Sequence, residues 1–297
     1  MPKQALIFEG GWDGHTPHRT GEMIASKLES RDFRVTQSDT LECLADPELK
    51  RFDLIVPCWT NAQGPYAYQA AERAVAEYES QITALLKGTG IPGISDDDRR
   101  QILDNLGPKR KASLKYLETQ GAGVITPKQM ENLLNAVSFE GVGLAGSHGG
   151  IIDTFHGSHV WERATGAHWN DHFGGCIPEY PVEVVDLNHP ITQGIDSFVM
   201  RGVVSVNEKG EKVCDGTEQY CCTTHPGIHP LAITRFSGKY DDLRRNSLRG
   251  KTMPYVWTNQ YGKGRVFVAA YGHTIGDFVV PQAKEILIRG LVWAARG

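Results

Sequence analysis

Short apolar runs, each closed by glycine or another turn residue, alternate along this chain with longer stretches whose apolar positions recur at helical spacing. The first run covers residues 4–9 and ends on Gly10-Gly11. A helical pattern occupies 19–28, and a second run lies at 52–60 after a linking stretch at 36–44. Strand, helix and strand at this spacing predict the start of a doubly wound, mostly parallel sheet. The pattern changes between 65 and 126. Residues 69–87 are helical, a glycine-rich break at 88–93 follows, and Ser95 with Asp96-Asp97-Asp98 caps a further helix at its positive end. Gly107-Pro108 is expected to divide that helix from a basic one at 109–119. We read 65–126 as a helical insertion, serving as an oligomerisation arm or a lid, within a single α/β domain spanning 1–297.

Thr126 and Pro127 open the next helix, which runs to about residue 137 and leads into a buried apolar strand. A helix is expected at 151–161, then a loop at 165–175 rich in glycine, histidine and aromatic residues. Strands are predicted at 181–187 and 231–236, and hairpins at 202–215 and 254–270. An amphipathic helix at 282–295 closes the chain.

The chemistry gathers around Gly146-Ser147-His148-Gly149-Gly150. Glycines two before and two after His148 give the spacing of a nucleophile elbow, where larger side chains clash as a strand turns sharply. An elbow presents one side chain at the carboxyl edge of a parallel sheet, where open α/β folds place ligands. Here that side chain is an imidazole. On this segment alone a glycine-rich turn with a solvated histidine is the competing reading. The loop after the first strand lies over the same edge and carries His15 and His18. Glu218 stands in a polar piece just before apolar residues, so its carboxylate is expected to point into the site. Trp169 and His172 suit a pocket for a ring-shaped polar ligand, because indoles stack on sugar faces while imidazoles bind hydroxyls; a packing role for the indole is the alternative. Trp59, Tyr220 and Asp277 complete the candidate ligand contacts.

Composition narrows the partners. A formal charge of -4, with basic residues scattered, leaves no electrostatic footprint for nucleic acid. No apolar run approaches the ~20 residues that span a bilayer, and the first strand begins at once, so a cytoplasmic protein is expected. The six cysteines lack C-x-x-C spacing and are read as reduced, mostly buried thiols. A catalytic thiol at Cys176 or Cys58 stays open as a minor alternative.

The elbow, Gly174-Gly175-Cys176-Ile177-Pro178-Glu179-Tyr180, His189-Pro190-Ile191-Thr192, Glu218-Gln219-Tyr220 and the tail from Tyr261 through Gly272-His273 together carry a resemblance. The chain resembles the trehalose-utilisation (ThuA-like) proteins, a branch of the class I glutamine-amidotransferase-like fold. The similarity covers the strands before Gly64 and nearly everything after Thr126. It implies a flavodoxin-like doubly wound sheet. In true amidotransferases a cysteine holds the elbow and a histidine near the chain end deprotonates it. His148 takes the first place here and His273 resembles the second, with Asp277 nearby as the orienting carboxylate the resemblance suggests. Two imidazoles offer no acyl-accepting thiolate, so glutamine hydrolysis is not expected. Converging imidazoles instead bind a divalent metal or form an acid/base pair. With His15 or His18 and Glu218 the set suits zinc; no nucleotide cofactor is expected.

The resemblance further implies a disaccharide, or its 3-oxo derivative, as the substrate of a sugar-processing enzyme; a homo-oligomer is also expected, with the helical insertion as a candidate arm. A non-catalytic sugar-binding or regulatory protein is the alternative. The chain departs from the family pattern at Ser147 before the elbow histidine, at Phe173, and at Thr223, where His225 two positions on is a candidate replacement for a missing histidine.

Overall fold

The computed structural model describes residues 2–87, 95–120, 123–239 and 248–297. The chain begins with β1 (Lys3–Gly11), α1 (Pro17–Glu29), β2 (Phe33–Ser38) and β3 (Leu54–Thr60). Then come β4 (Ala62–Gln63), α2 (Pro65–Leu86), α3 (Asp96–Gln120), α4 (Pro127–Ser138) and β5 (Gly143–Ser147). After β6 (Phe155–His156), α5 (His159–Thr165), β7 (Ala167–Ile177), β8 (Glu179–Val184) and β9 (Phe198–Arg201), the hairpin β10 (Val203–Val206) and β11 (Lys212–Thr224) follows. The chain ends with β12 (His229–Arg235), β13 (Thr252–Tyr261), β14 (Gly264–Ala269) and α6 (Pro281–Ala294).

One nine-stranded sheet, ordered β2-β1-β3-β5-β14-β13-β12-β8-β9, forms the core. Its first five strands run parallel, and from β14 onward each pairing is antiparallel. The fold is therefore mixed α/β, and the expected parallel sheet is extended by an antiparallel half. The two halves differ in sequence for a physical reason. Parallel strands lie between covering elements, so β3 and β5 are buried at every position and read as unbroken apolar runs. β8 has one wet face, and exposed and buried residues alternate along it. The helices α1 and α6 pack against these parallel strands and touch each other, while α4 and α5 both contact β14.

Local rules explain the starts of several elements. Thr126 Oγ1 accepts from the Gln129 amide at 3.2 Å while Gln129 Oε1 accepts from the Thr126 amide at 2.9 Å, a reciprocal cap on α4. Ser95 caps α3 through the Asp98 amide at 3.1 Å. The hairpin expected at 202–215 forms as β10 and β11, and α6 closes the chain where the apolar spacing placed it.

Four expectations need correction. The linking stretch expected at 36–44 includes the end of β2, whose sequence, Phe-Arg-Val-Thr-Gln-Ser, lacks an apolar run because it forms a largely exposed edge strand. The helix placed at 151–161 is instead a turn, the short β6 and the seven-residue α5. Trp161 Nε1 donates to Ile151 O at 2.8 Å and folds that stretch back on itself. The loop placed at 165–175 is the strand β7, whose ladder is supplied by β11 across a sequence gap that local pattern cannot see. Gly107-Pro108 does not divide α3, which continues through Pro108; the break at 88–93 lies outside the described residues. α2 and α3 pack on each other, with Arg110 and Glu79 paired at 2.6 Å. Among the described residues no helix is long and apolar enough to cross a membrane.

Candidate metal centre

The carboxyl ends of β1, β3, β5 and β14 converge on one edge of the sheet, and the turns that leave them carry three histidines. His15 ends a short turn after β1. His148 begins the turn after β5, and His273 follows Gly272 beyond β14. Glu218 reaches the same point from β11. One ligand atom from each of His15, His148, Glu218 and His273 lies within 4.8 Å of all the others.

Backbone geometry is committed to this arrangement. His148 has φ 52°, a left-handed conformation that a non-glycine residue adopts at a cost of about 1–3 kcal/mol. Gly149 is fixed by close approach, since a Cβ there would stand 2.6 Å from the His15 ring and 2.8 Å from the Thr60 methyl. The glycines flanking the elbow histidine therefore admit a second histidine as well as the turn itself.

The polar atoms of the cluster are left for a ligand. His148 and His273 are each 1% exposed, and neither nitrogen of either ring has a hydrogen-bond partner among the described residues. Buried polar atoms are bonded in the great majority of cases, so these two unpaired rings call for a ligand, and one nitrogen of each lies within reach of a shared ion. His273 Nδ1 lies 3.1 Å from Glu218 Oε2, off the line a hydrogen bond needs, and His148 Nε2 lies 3.6 Å from the same oxygen. His15 Nδ1 and Thr60 Oγ1 are 2.7 Å apart. With the proton on Nδ1 this bond turns the lone pair of Nε2 toward the cluster, the usual way a ligating imidazole is oriented.

Burial, reinforced by the neighbouring imidazoles, holds His15 and His148 well below the ordinary imidazole pKa. Both rings are thus neutral near pH 7, the form that ligates metals. Asp277 behaves oppositely, its carboxyl being pushed up to about 6 by burial. It accepts from Thr217 Oγ1 at 2.7 Å and from the His273 amide at 2.8 Å. Asp277 therefore fixes the His273 backbone, where the sequence suggested it would orient the ring.

The two shifts set the pH dependence of the metal-free protein. The buried rings bind fewer protons than in the unfolded chain, so their contribution is complete above the ordinary value of about 6.5 and is lost as the pH falls below it. Asp277 stabilises below its ordinary value of about 3.9 and loses that contribution as the pH rises through about 6. Two rings outweigh one carboxyl. The thermal midpoint of metal-free protein is expected to fall between about pH 6.5 and pH 5; a midpoint that climbs as acid is added across that window would contradict the assignment.

The remaining candidates divide. Tyr220 lies against the His148 ring with centroids 3.6 Å apart. Trp169 stands 5.9 Å from both the Tyr220 and the His172 rings, and His172 Nε2 is 3.8 Å from Glu218 Oε1. These three extend the cluster along β7 and β11. Trp59 is a core residue, its indole pressed on Gly10 and Gly11. His18 is not part of the centre. Thr16 at φ 49° and Pro17 start α1, and the His18 ring turns outward to Glu9, 3.4 Å away.

His225 does not replace the missing histidine at Thr223. It lines a separate surface cavity of about 410 Å³ with His159, Glu162 and His168, while Thr223 donates to Asn170 at 2.9 Å. Phe173 packs on Phe236.

The cysteines need correction too, since Cys176 and Cys214 form a disulfide with Cα atoms 5.8 Å apart. The strand register brings β7 beside β11, which sequence spacing does not reveal. The Cys58 thiol is held protonated, burial raising its pKa far above the usual range. Neither cysteine therefore supplies the thiolate that the nucleophile alternative requires.

Two contacts escaped the sequence reading. Trp12, 44% exposed, lies edge-on to His15 with centroids 4.8 Å apart and stands 6.2 Å from His273. Its position directly after Gly10-Gly11 was the available signal. Thr60 carried none beyond its place at a strand end.

A family model described as trehalose utilisation matches residues 109–294. Among solved structures, a putative ThuA-like protein from Bacteroides uniformis ATCC 8492 superposes with a TM-score of 0.59 at 14% identity, covering 99% of this chain and 91% of that one. A second, from Parabacteroides merdae ATCC 43184, gives 0.56 at 14%, covering 99% and 90%. A cytoplasmic protein from Salmonella typhimurium gives 0.50 at 14%, covering 99% and 100%. At that identity these likenesses speak for the fold alone. No curated protein matches the chain. The family match spans well over half the sequence and includes the elbow, Glu218 and the histidine beyond β14, so this chain belongs to the trehalose-utilisation (ThuA) family.

Proposed function

We propose that this protein is a cytoplasmic enzyme of carbohydrate metabolism that acts on a disaccharide or its 3-oxo derivative at the His15, His148, Glu218 and His273 centre, with a divalent metal ion bound there. The observation that carries this reading is the four converging ligand atoms, with both nitrogens of two buried imidazoles unbonded. Three imidazoles and a carboxylate suit zinc or a similar ion needing nitrogen and oxygen ligands. Such an ion, when bound, polarises a carbonyl or hydroxyl oxygen of the substrate. The sugar class follows from the family's description, and the exposed indole of Trp12 agrees with it as a stacking surface. The strand order β2-β1-β3-β5-β14 supports the flavodoxin-like, doubly wound reading of the parallel half.

The residues supply the rest of the chemistry. A ketone at C3 acidifies the neighbouring C–H, so the Glu218 carboxylate can remove that proton, as can an imidazole that holds no metal. His172, beside Glu218 and more open to solvent, can exchange the proton with water. Elimination or isomerisation of the oxidised sugar follows from such a transfer. The test is metal analysis of protein purified without a histidine tag, together with turnover of 3-oxo-glycosides. About one equivalent of metal and measurable turnover, both abolished by chelation, support the reading; metal-free protein with undiminished turnover removes the metal from it.

Thr60→Val keeps the shape beside His15 and removes the hydrogen bond that orients its ring. Metal affinity is expected to fall about 10–100-fold, read from a competition titration with a chelating dye. Unchanged affinity would mean that Thr60 does not set the ring. The burial of His148 and His273 also fits a second reading, because a closed four-ligand site is characteristic of structural metals. In that case calorimetry finds sugar binding without turnover.

A further inference from the structure

A second group of ligand atoms adjoins the first. The sulfurs of Cys176 and Cys214 and a ring nitrogen of His273 all lie within 4.8 Å of one another. Cys176 is the register partner of Glu218 across the β7–β11 ladder, and Cys214 lies four residues before Glu218 on β11. The disulfide therefore sits at the wall of the centre, with His273 common to both groups. A disulfide is a poor ligand, so in the oxidised protein His273 serves only the imidazole–carboxylate set. Cytosolic disulfides, where they occur in mesophiles, are usually transient and redox-sensing.

We propose that reduction of the Cys176–Cys214 disulfide creates a second metal site, made of two thiolates and His273, the ring it shares with the His15, His148 and Glu218 set. In the reduction the S–S bond breaks, and each sulfur gains one electron and one proton. The donor is a dithiol, which closes to its own disulfide. A metal ion then displaces the two thiol protons, as thiolates require. Two thiolates and an imidazole select softer ions than the first set does, zinc and copper(I) above calcium or magnesium. The inference stands on the position of the sulfurs and does not require the sugar chemistry proposed above.

Cobalt(II) is the probe, because thiolate ligation gives it a sulfur-to-metal charge-transfer band in the near ultraviolet that imidazole and carboxylate do not. Metal-free full-length protein is titrated with cobalt(II) as the disulfide form, then again after dithiothreitol treatment and anaerobic removal of the reductant. Reduction should raise the free thiols from four to six. The band is expected in the reduced protein and absent from the oxidised one. It should be lost in the Cys176→Ser/Cys214→Ser double variant, and also in Cys214→Ala should the double variant fail to fold. In His148→Ala the band should persist, since that ring belongs to the other set alone. A reduced wild-type protein without the band overturns the proposal, as does a band that survives loss of Cys214, which would assign it to Cys221 or Cys222. Cobalt uptake by the oxidised protein, followed by its weaker visible bands, reports separately on the His/Glu centre.

Discussion

His148→Ala is expected to empty the His15, His148, Glu218 and His273 centre and to stop the proposed turnover. Removing a neighbour that merely orients a ligand typically costs about 10–100-fold in metal affinity, and loss of the ligand itself costs more. Loss of a positioned acid or base lowers the rate by about 10²–10⁴-fold. Metal content and the rate of 3-oxo-glycoside consumption are the two measurements. The backbone supplies an internal control. His148 sits at φ 52°, where alanine is strained and glycine is not. His148→Gly should therefore lose the metal and the rate as His148→Ala does, yet melt at a higher temperature than the alanine variant, by about 1 kcal/mol of stability. Retention of metal and rate by both variants would sink the assignment of the elbow imidazole.

A second large effect is expected at Gly202→Ala. A Cβ at this position would lie 1.8 Å from the carbonyl carbon of Gly216, backbone against backbone, where no rotamer change relieves the clash. Gly216 is itself at φ 137°, and its own missing Cβ would lie 2.4 Å from Ile177 O. The chain leaving β9 thus crosses β11 two residues before Glu218, at a point where only glycine fits on either side. Overpacking of this kind costs about 1–3 kcal/mol and sometimes more, which lowers the thermal midpoint by about 2–4 °C per kcal/mol in a protein near this size. Because β11 carries Glu218, metal content should fall together with stability. Gly227→Ala is the comparison: among the described residues no atom outside its chain neighbours lies within 4 Å of a Cβ there, so it should change neither. A Gly202→Ala protein that melts like wild type and keeps its metal would show that the crossing does not hold Glu218 in place.

The elbow shows how far a local pattern reaches. Gly146, His148 and Gly150 announced a sharp turn at a strand end, and the structure has that turn. The pattern also put His15 at the same edge, because residues following parallel strands emerge on one side of the sheet, whereas His273 came from the family resemblance. His18 had the same claim as His15 in sequence. A left-handed Thr16 and the start of α1 separated them, and nothing in their spacing from the first strand distinguishes one from the other. The strand β7 was misread for a related reason. Its glycines and histidines look like loop, and only the ladder with β11, some 50 residues away, makes it a strand.

Sequence alone determined the order of the parallel strands' apolar runs, the caps of α3 and α4, the elbow, and the family to which these motifs belong. These are local or ordered signals, written in residues near one another or in a fixed succession of short motifs. Tertiary structure decided which of the histidines converge on Glu218 and that Cys176 meets Cys214 beside it. Those outcomes depend on strand register and on contacts as close as the Gly149–His15 approach. A change of one residue in register turns a side chain to the opposite face of the sheet, and composition carries no record of which register the packed core selects.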